Sequence, residues 1–399
     1  IDSEINLSER FWLFGLVILP HHLNIITMKI AIIGGGIGGL TTALALQKNN
    51  LDVTIYESAP EIKPVGAGII MANNAMQVFD KLGIRHKIEN AGHKISNIKI
   101  TDPQLKTLSD VQLNKFESKY GVHNVAIHRG DLQLILAEEI GFENIQLSKR
   151  LAKIEKNEDY KLTFDDGTIA NADVVIGADG IKSAVRNQIL NIGTLRDSGQ
   201  KCWRGVADMD WARKYNHQAH EAWGKGRRFG FVRINDQKVY WYAVVNENLV
   251  KNPNNLVELF TDFNADVVRM ISETPKENIF VSDIIDLEPI SQWQKDRVCL
   301  IGDAAHATTP NMGQGACQAI EDAYVLGKLF GEGKTVEEVF TQYENSRMKK
   351  AHYIVNTSAA IGKVSHYENA LAIWIRNTLV KATPNSVNEK QMEKVFDIA

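Results

Sequence analysis

Cysteine is scarce: Cys202, Cys299 and Cys317 are the only three in 399 residues. Their number is odd, their spacing wide, and no CxxC pair occurs. That excludes a disulfide framework and a thiolate zinc site, and it leads us to expect a reducing, cytoplasmic location. The eleven histidines show no HExxH or comparable ligand spacing, so no metal site is expected. No basic tract with interleaved aromatics is present, and a formal net charge of −3 gives no reason to expect nucleic acid. Long hydrophobic runs are missing as well. Phe11 to Leu19 is too short to span a bilayer, and its flanks lack the basic leader and small-residue cleavage site of a signal peptide. No stable membrane span is expected. GEGKT at 331–335 resembles part of a P-loop, but Lys328 stands where that loop requires glycine. Internal repeats and low-complexity linkers are absent.

What is present is the composition of an ordinary globular chain, 44% hydrophobic and 23% charged, long enough for two domains. Residues 1–27 read as an extension outside the fold, with an amphipathic surface segment as the alternative. Met28 stands directly before the apolar run Lys29–Ile33, a buried strand by its continuity. A helix is expected from Gly38 to Lys48 and a second strand at Asp52–Tyr56, which makes a βαβ opening of Rossmann size. Arg129 to Glu139 reads as a helix. Lys153–Phe164 and Ile169–Val175 read as strands joined by a turn at Asp165–Asp166–Gly167, and Ala172–Ala178 as a buried strand. The next hundred residues alternate and are aromatic-rich. Phe229–Ile234 and Lys238–Val245 form a hairpin that suggests a mostly antiparallel sheet with one face lining something. Arg297–Ile301 returns to the first domain, and from Thr335 the chain is chiefly helical, with turns expected near Gly362 and Pro384.

Three segments carry chemistry. Gly34, Gly36 and Gly39 satisfy G-x-G-x-x-G between a strand and a helix. The first permits a tight turn, the second lets backbone approach a pyrophosphate, and the third lets helix and strand pack closely. Helix N-terminal amides then face the phosphates, and Glu57, closing the second strand, is placed to bond adenosine ribose hydroxyls. Asp179–Gly180 ends the strand in VVIGADG, with Ser183 and Arg186 following on an expected helix. Gly302–Asp303 ends the strand in RVCLIGD. Each aspartate is read either as a ligand for ribityl or ribose hydroxyls at the carboxyl edge of the sheet or as a helix N-cap. Pro310, Gly313, Gln314 and Gly315 precede an expected helix from Ala316 to Leu329, whose positive end suits a flat ring that becomes anionic on reduction.

In this order, from about Met28 to Arg347, these motifs resemble the class A FAD-dependent aromatic-ring monooxygenases, the p-hydroxybenzoate hydroxylase superfamily. The stretches EIKPVGAGI and TTPNMGQGACQAIEDA are similar to its urate, salicylate and 3-hydroxybenzoate hydroxylase branch. The resemblance implies an α/β fold: a Rossmann-like FAD-binding domain (28–185 and 280–345), a mostly antiparallel substrate-binding sheet (186–279) and C-terminal helices (346–399). It implies FAD held by Gly34, Gly36, Gly38, Gly39, Glu57, Gly68, Arg129, Asp179, Gly180, Gly302, Asp303, Pro310, Gly313, Gln314 and Gly315, with Arg129 near the flavin phosphates. NADH or NADPH is the implied cosubstrate, binding without a Rossmann domain of its own. O2 then gives a C4a-hydroperoxyflavin that oxygenates an electron-rich aromatic or heterocyclic small molecule.

Arg228 and Tyr240 fall where urate hydroxylases place substrate-contacting residues, and Trp203, Trp223, Trp241 and Tyr242 offer further aromatic walls. Period-two alternation puts Tyr240 and Tyr242 on one strand face and Trp241 on the other. His306 reads as structural, and no catalytic base is identifiable. Two other readings stay open, a monooxygenase of larger polycyclic or polyene substrates and a non-catalytic binding protein on the same fold. Leu371, Ile373, Trp374, Ile375 and Leu379 are expected to pack against the FAD domain, with a dimer or membrane contact as alternatives. A monomer or homodimer is expected.

Overall fold

The computed structural model describes residues 28–63, 66–253 and 255–398. The expected extension 1–27, and Pro64 and Val65 of EIKPVGAGI, lie outside the described residues. The continuous apolar run Lys29–Ile33 forms the middle of a six-stranded sheet, because a strand buried on both faces needs no polar alternation. Its neighbours are Asp52–Tyr56 on one side and Val174–Gly177, then Val298–Leu300, on the other. All of these pairs are parallel, and Ile33 lies level with Tyr56 and Gly177, which lies level with Leu300. Ile145–Gln146 adds a parallel edge and Gln294–Lys295 an antiparallel one. The first helix, Ile37–Gln47, is buried along most of its length, packed by Arg129–Ile140 and Gly315–Phe330.

The run read as one strand from Ile169 to Val175 is two. Ile169–Ala172 completes a three-stranded meander with Tyr160–Phe164 and Leu151–Lys156. At Asp173 the chain crosses into the parallel sheet, where the Asp173 carboxylate accepts the Lys29 N–H at 2.8 Å. Asp173 is the mark of that change in the sequence, a single charge that does not by itself distinguish a change of sheet from an outward-facing strand position.

The second sheet has seven strands in the order Ile279–Leu287, Leu195–Asp208, Lys238–Asn246, Arg227–Arg233, Gln218–Trp223, Asn97–Thr101, Thr107–Gln112. It is mixed: Gln218–Trp223 pairs parallel with Asn97–Thr101, and the other pairs are antiparallel. Residues 186–279 therefore do not contain the whole sheet, which takes strands from both flanking stretches. Its outer face is a second core of Trp203, Phe229, Phe231 and Trp241 with Phe260 and Met270. The inner face turns toward the first sheet.

A capping box at Thr335 and Glu338 starts the helix Val336–Ser365, satisfying two backbone donors at its first turn. That helix runs through Gly362 instead of turning there. Asn311 fills the space beside Gly362, and a Cβ at that position would stand 2.5 Å from its Nδ2, so close approach accounts for the glycine. The expected packing of the C-terminal apolar residues is also corrected. Trp374 is 65% exposed and Leu371 64%, because buried Arg376, not the apolar set, faces inward: it donates to the Ser365 carbonyl at 2.9 Å and lies 5.4 Å from the Trp223 ring. Among the described residues no helix is long and apolar enough to cross a membrane, and no cluster of residues could hold a metal.

Candidate functional site

Parallel pairing sets four strand tips side by side at one sheet edge: Leu300–Gly302, Gly177–Asp179, Ile33–Gly34 and Tyr56–Glu57. Gly34 turns at φ +110°, and a Cβ there would lie 2.4 Å from the Ala178 carbonyl oxygen. At Gly39 it would lie 2.0 Å from the Gly34 oxygen. Gly36 is different. It caps the first helix in extended conformation, and nothing lies within 4 Å of where its Cβ would be. The loop is therefore packed behind and open in front. Glu57 braces it, accepting from the Gly35 N–H at 2.6 Å and from the Ala59 N–H at 2.7 Å. Gln133 donates to the Gly35 carbonyl from the helix Arg129–Ile140. Arg129, first residue of that helix, is exposed.

The two motif aspartates part company. Asp179 caps the turn that follows it, accepting from Ser183 Oγ at 2.5 Å and from the Ala184 and Val185 N–H groups at 2.7 and 3.1 Å. Burial raises its carboxyl above the ordinary range despite those bonds. The turn it caps is followed by a π-helical turn, Arg186–Leu190. Asp303 instead is exposed between buried Gly302 and Ala304 and lies beside Gly315. Gly180 and Gly313 take positive φ and border open space, and Gly38 packs on Ala319. Exposed Pro310 opens the short turn ending at Gly313.

Gln314 lies behind this loop in a buried polar network that sequence reasoning missed. Asn74 donates to Gln314 at 3.0 Å and to Glu321 at 2.5 Å. Arg347, fully buried, bonds Glu321 at 2.7 Å and Asp322 at 2.8 Å. Asp322 in turn accepts the Gly302 N–H at 3.0 Å and bonds His306 at 2.6 Å, a structural placement for that histidine. Burial pushes the Asp322 carboxyl up, and His306 and Arg347 together more than reverse this, holding it well below its ordinary range. Gly302, His306, Gln314, Gln318, Glu321 and Asp322 are thus tied, directly or through one intermediary, to one arginine. Cys317 is inert here: burial pushes its thiol up to about 12.

Across from this edge lies the inner face of the second sheet. Register puts Glu221 opposite Gly230, and Gly230 opposite Tyr242. Arg228, Trp223 and Tyr240 share that face by alternation, while Trp203 and Trp241 sit in the outer core. Gly68 lies under Tyr240, whose ring atoms would be 2.5 Å from a Cβ there. The structure therefore brings Gly68 to the sheet junction. Burial raises the Tyr240 phenol far out of the titrating range. Arg228 Nη2 bonds Asn311 of the PNM loop, so the two halves of the site meet at that pair. Glu221 and Asn311 were not singled out from the sequence. No motif marks them; only the register and the loop approach do.

A family model described as FAD binding domain matches residues 27–358. The chain is 37% identical over 360 residues to the aurachin C monooxygenase/isomerase of Stigmatella aurantiaca, covering 89% of this chain and 94% of that one. It is 31% identical over 383 residues to the 2-heptyl-3-hydroxy-4(1H)-quinolone synthase of Pseudomonas aeruginosa strain UCBPP-PA14, covering 92% and 98%. Among solved structures, Klebsiella pneumoniae HpxO complexed with FAD and uric acid superposes with a TM-score of 0.85 at 26% identity, covering 92% of this chain and 95% of that one.

Proposed function

The chain belongs to the FAD-binding-domain family of class A flavoprotein monooxygenases, and on that premise we propose that the cleft between the four strand tips and the inner sheet face is where it hydroxylates an aromatic or heterocyclic small molecule. FAD is the cofactor, and NAD(P)H and O2 are the cosubstrates. The observation that carries the placement is the open front of Gly36, at the same sheet edge as Glu57, which follows the neighbouring strand, and Asp303, which follows the strand beyond Val174–Gly177. These residues fit the cofactor: a Cβ at Gly36 would fill the cradle, and Asp303 is exposed at the rim, as Arg129 is. In this reading the glycine-loop amides and Arg129 hold the pyrophosphate, Glu57 the adenosine ribose, and Asp303 the ribityl chain. Gly180, Pro310, Gly313, Gln314 and Gly315 shape the flavin end.

Bound FAD supplies hydride acceptance from NAD(P)H and activation of O2. The chain's own part is to orient and to exclude water. Tyr240 and Tyr242, both partly buried and neutral, wall the ring site, and Asn311 fixes the loop against Arg228. The three buried free cysteines support a reducing, cytoplasmic setting. Purified protein is expected to be yellow and to oxidise NADH or NADPH faster when a ring substrate is added. One atom of labelled O2 should enter the product, as mass spectrometry would read. A flavin-loaded protein inert toward both nicotinamides with every ring compound tried would sink the proposal.

The two aspartates separate cap from ligand. Asp179→Ala is expected to cost about 1–2 kcal/mol of stability through the lost cap. Asp303→Ala is expected to leave stability within about 0.5 kcal/mol and to weaken FAD binding about tenfold, the loss of one charge-assisted hydrogen bond. Thermal melts of flavin-free protein and FAD titration check both. Equal flavin affinity in Asp303→Ala and the parent would remove Asp303 from the cofactor site.

A further inference from the structure

We infer that Glu221 is a specificity-determining residue and that the pocket selects a neutral heteroaromatic ring bearing an N–H or O–H donor, against anionic rings such as urate or salicylate; this rests on the placement of the substrate on the inner sheet face. The relevant fact is the state of Arg228. A buried arginine with a free charge beside aromatic walls would receive an anion, but here its charge is already matched. Glu221 Oε1 lies 3.4 Å from Arg228 Nη1, Asn311 takes Nη2, and the Arg228 side chain is only 1% exposed. Its Nε is buried without a partner and presents no surface to an incoming ligand.

The pairing is built, not incidental. Gly230 has no side chain, and a Cβ there would stand 2.1 Å from the Tyr242 ring. Its absence lets that ring lie across the sheet so that the Tyr242 hydroxyl donates to Glu221 Oε2. Trp223 Nε1 donates to Oε1 at 2.5 Å. Three donors from three strand positions thus fix one carboxylate. Oε1 takes two of them and Oε2 one, so Oε2 keeps a second acceptor site. The neighbouring His366 adds no charge near neutral pH: burial, and then Arg228, lower it to about 4. The Glu221–Arg228 pair is therefore a neutral unit with one acceptor left over. A second carboxylate or a ring anion brought against it would meet Glu221 as a like charge and find Arg228 spent. A neutral ring donor would find an acceptor.

The test uses full-length, FAD-loaded protein and reads dissociation constants from perturbation of the flavin absorbance. The probes are 4-quinolone and 2-hydroxyquinoline as neutral donors, and urate and salicylate as anions. The parent should bind the neutral pair at least about tenfold more tightly than the anions, the kind of rejection an unmatched buried polar group enforces. Glu221→Gln, whose amide oxygen can still accept from Trp223 and whose amide N–H can donate to the Tyr242 hydroxyl, removes the charge that matches Arg228 and should shift that ratio about tenfold or more toward the anions. Anions binding the parent as tightly as the neutral rings overturn the inference, as does an unchanged ratio in a variant of normal flavin content. If Glu221→Gln does not fold, the parent ratio alone decides. If none of the four probes perturbs the flavin while NAD(P)H is still oxidised, the substrate does not lie on this face, and both the placement and the inference fall. Failure to oxidise NAD(P)H at all sinks the monooxygenase reading by itself.

Discussion

Gly36→Val is expected to give a protein that folds and is colourless. Valine adds three heavy atoms at a position where no protein atom lies within 4 Å. The backbone there, φ −72° and ψ 178°, is extended and open to any L-residue. The fold should therefore lose no more than about 1 kcal/mol, the scale of an N-cap change. The same three atoms stand where a pyrophosphate must approach the helix N-terminus, so FAD affinity should fall by about a hundredfold or more, since each tenfold is only about 1.4 kcal/mol. Neighbouring glycines supply the contrast. A side chain at Gly39 would meet the Gly34 carbonyl oxygen at 2.0 Å, and Gly39→Val should fail to fold. The measurement is flavin content after FAD soaking, alongside circular dichroism and urea unfolding of flavin-free protein. A folded Gly36→Val variant that retains FAD like the parent would mean the cofactor lies elsewhere.

How far the sequence disclosed this arrangement depends on what kind of signal each part emits. The strand tips were legible because a buried parallel strand running into glycine leaves a local mark: Lys29–Ile33 and Asp52–Tyr56 form with the ends that the apolar runs predict. The alternation placing Tyr240 and Tyr242 together and Trp241 opposite also follows from period two alone. Glu221 was not legible. Its partner Tyr242 is twenty-one residues away, and only the two-strand register through Gly230 joins them. Arg228 was legible as a residue of the site but not in its role, since a neutralising carboxylate seven residues earlier looks from sequence like an ordinary strand charge. Gly362 misled for a similar reason. A glycine in a helical stretch reads as a stop, and the loop residue that requires it lies fifty-one positions upstream. Arg347 is the extreme case, a charge in an amphipathic-looking helix that proves to be fully buried.

That burial makes Arg347→Met the other variant from which a large effect is expected. Arg347 bonds both Glu321 and Asp322, each 0–1% exposed, and donates to the Gln318 side chain at 2.7 Å. Methionine approximates its length but carries no donor. Lys350 still pairs with Glu321 at 2.8 Å, so Asp322 bears most of the damage, a carboxylate in the core left with His306, the Gly302 N–H and the Tyr343 hydroxyl beside it. Breaking one partner out of a buried ion pair costs about 3–5 kcal/mol, and urea unfolding of flavin-free protein should show a loss of that size. The pH dependence carries a sign. In the parent the Asp322 carboxyl is held well below its ordinary value. Its contribution is therefore present above the unfolded carboxyl range, about 3.9, and is lost only as pH falls through the lower folded value. Without Arg347, burial pulls that carboxyl upward, so the variant pays most at neutral pH and the gap to the parent narrows on acidification. Because Asp322 also anchors the Gly302 N–H, flavin retention should drop with stability even though Arg347 lies behind the proposed cofactor cradle, not in it. The double variant Arg347→Met, Asp322→Asn removes the orphaned charge and should recover part of the stability lost by Arg347→Met alone. A single variant as stable as the parent at pH 7, or a double variant no better than the single, would show that the arginine is not what holds Asp322 and the Gly302 turn in place.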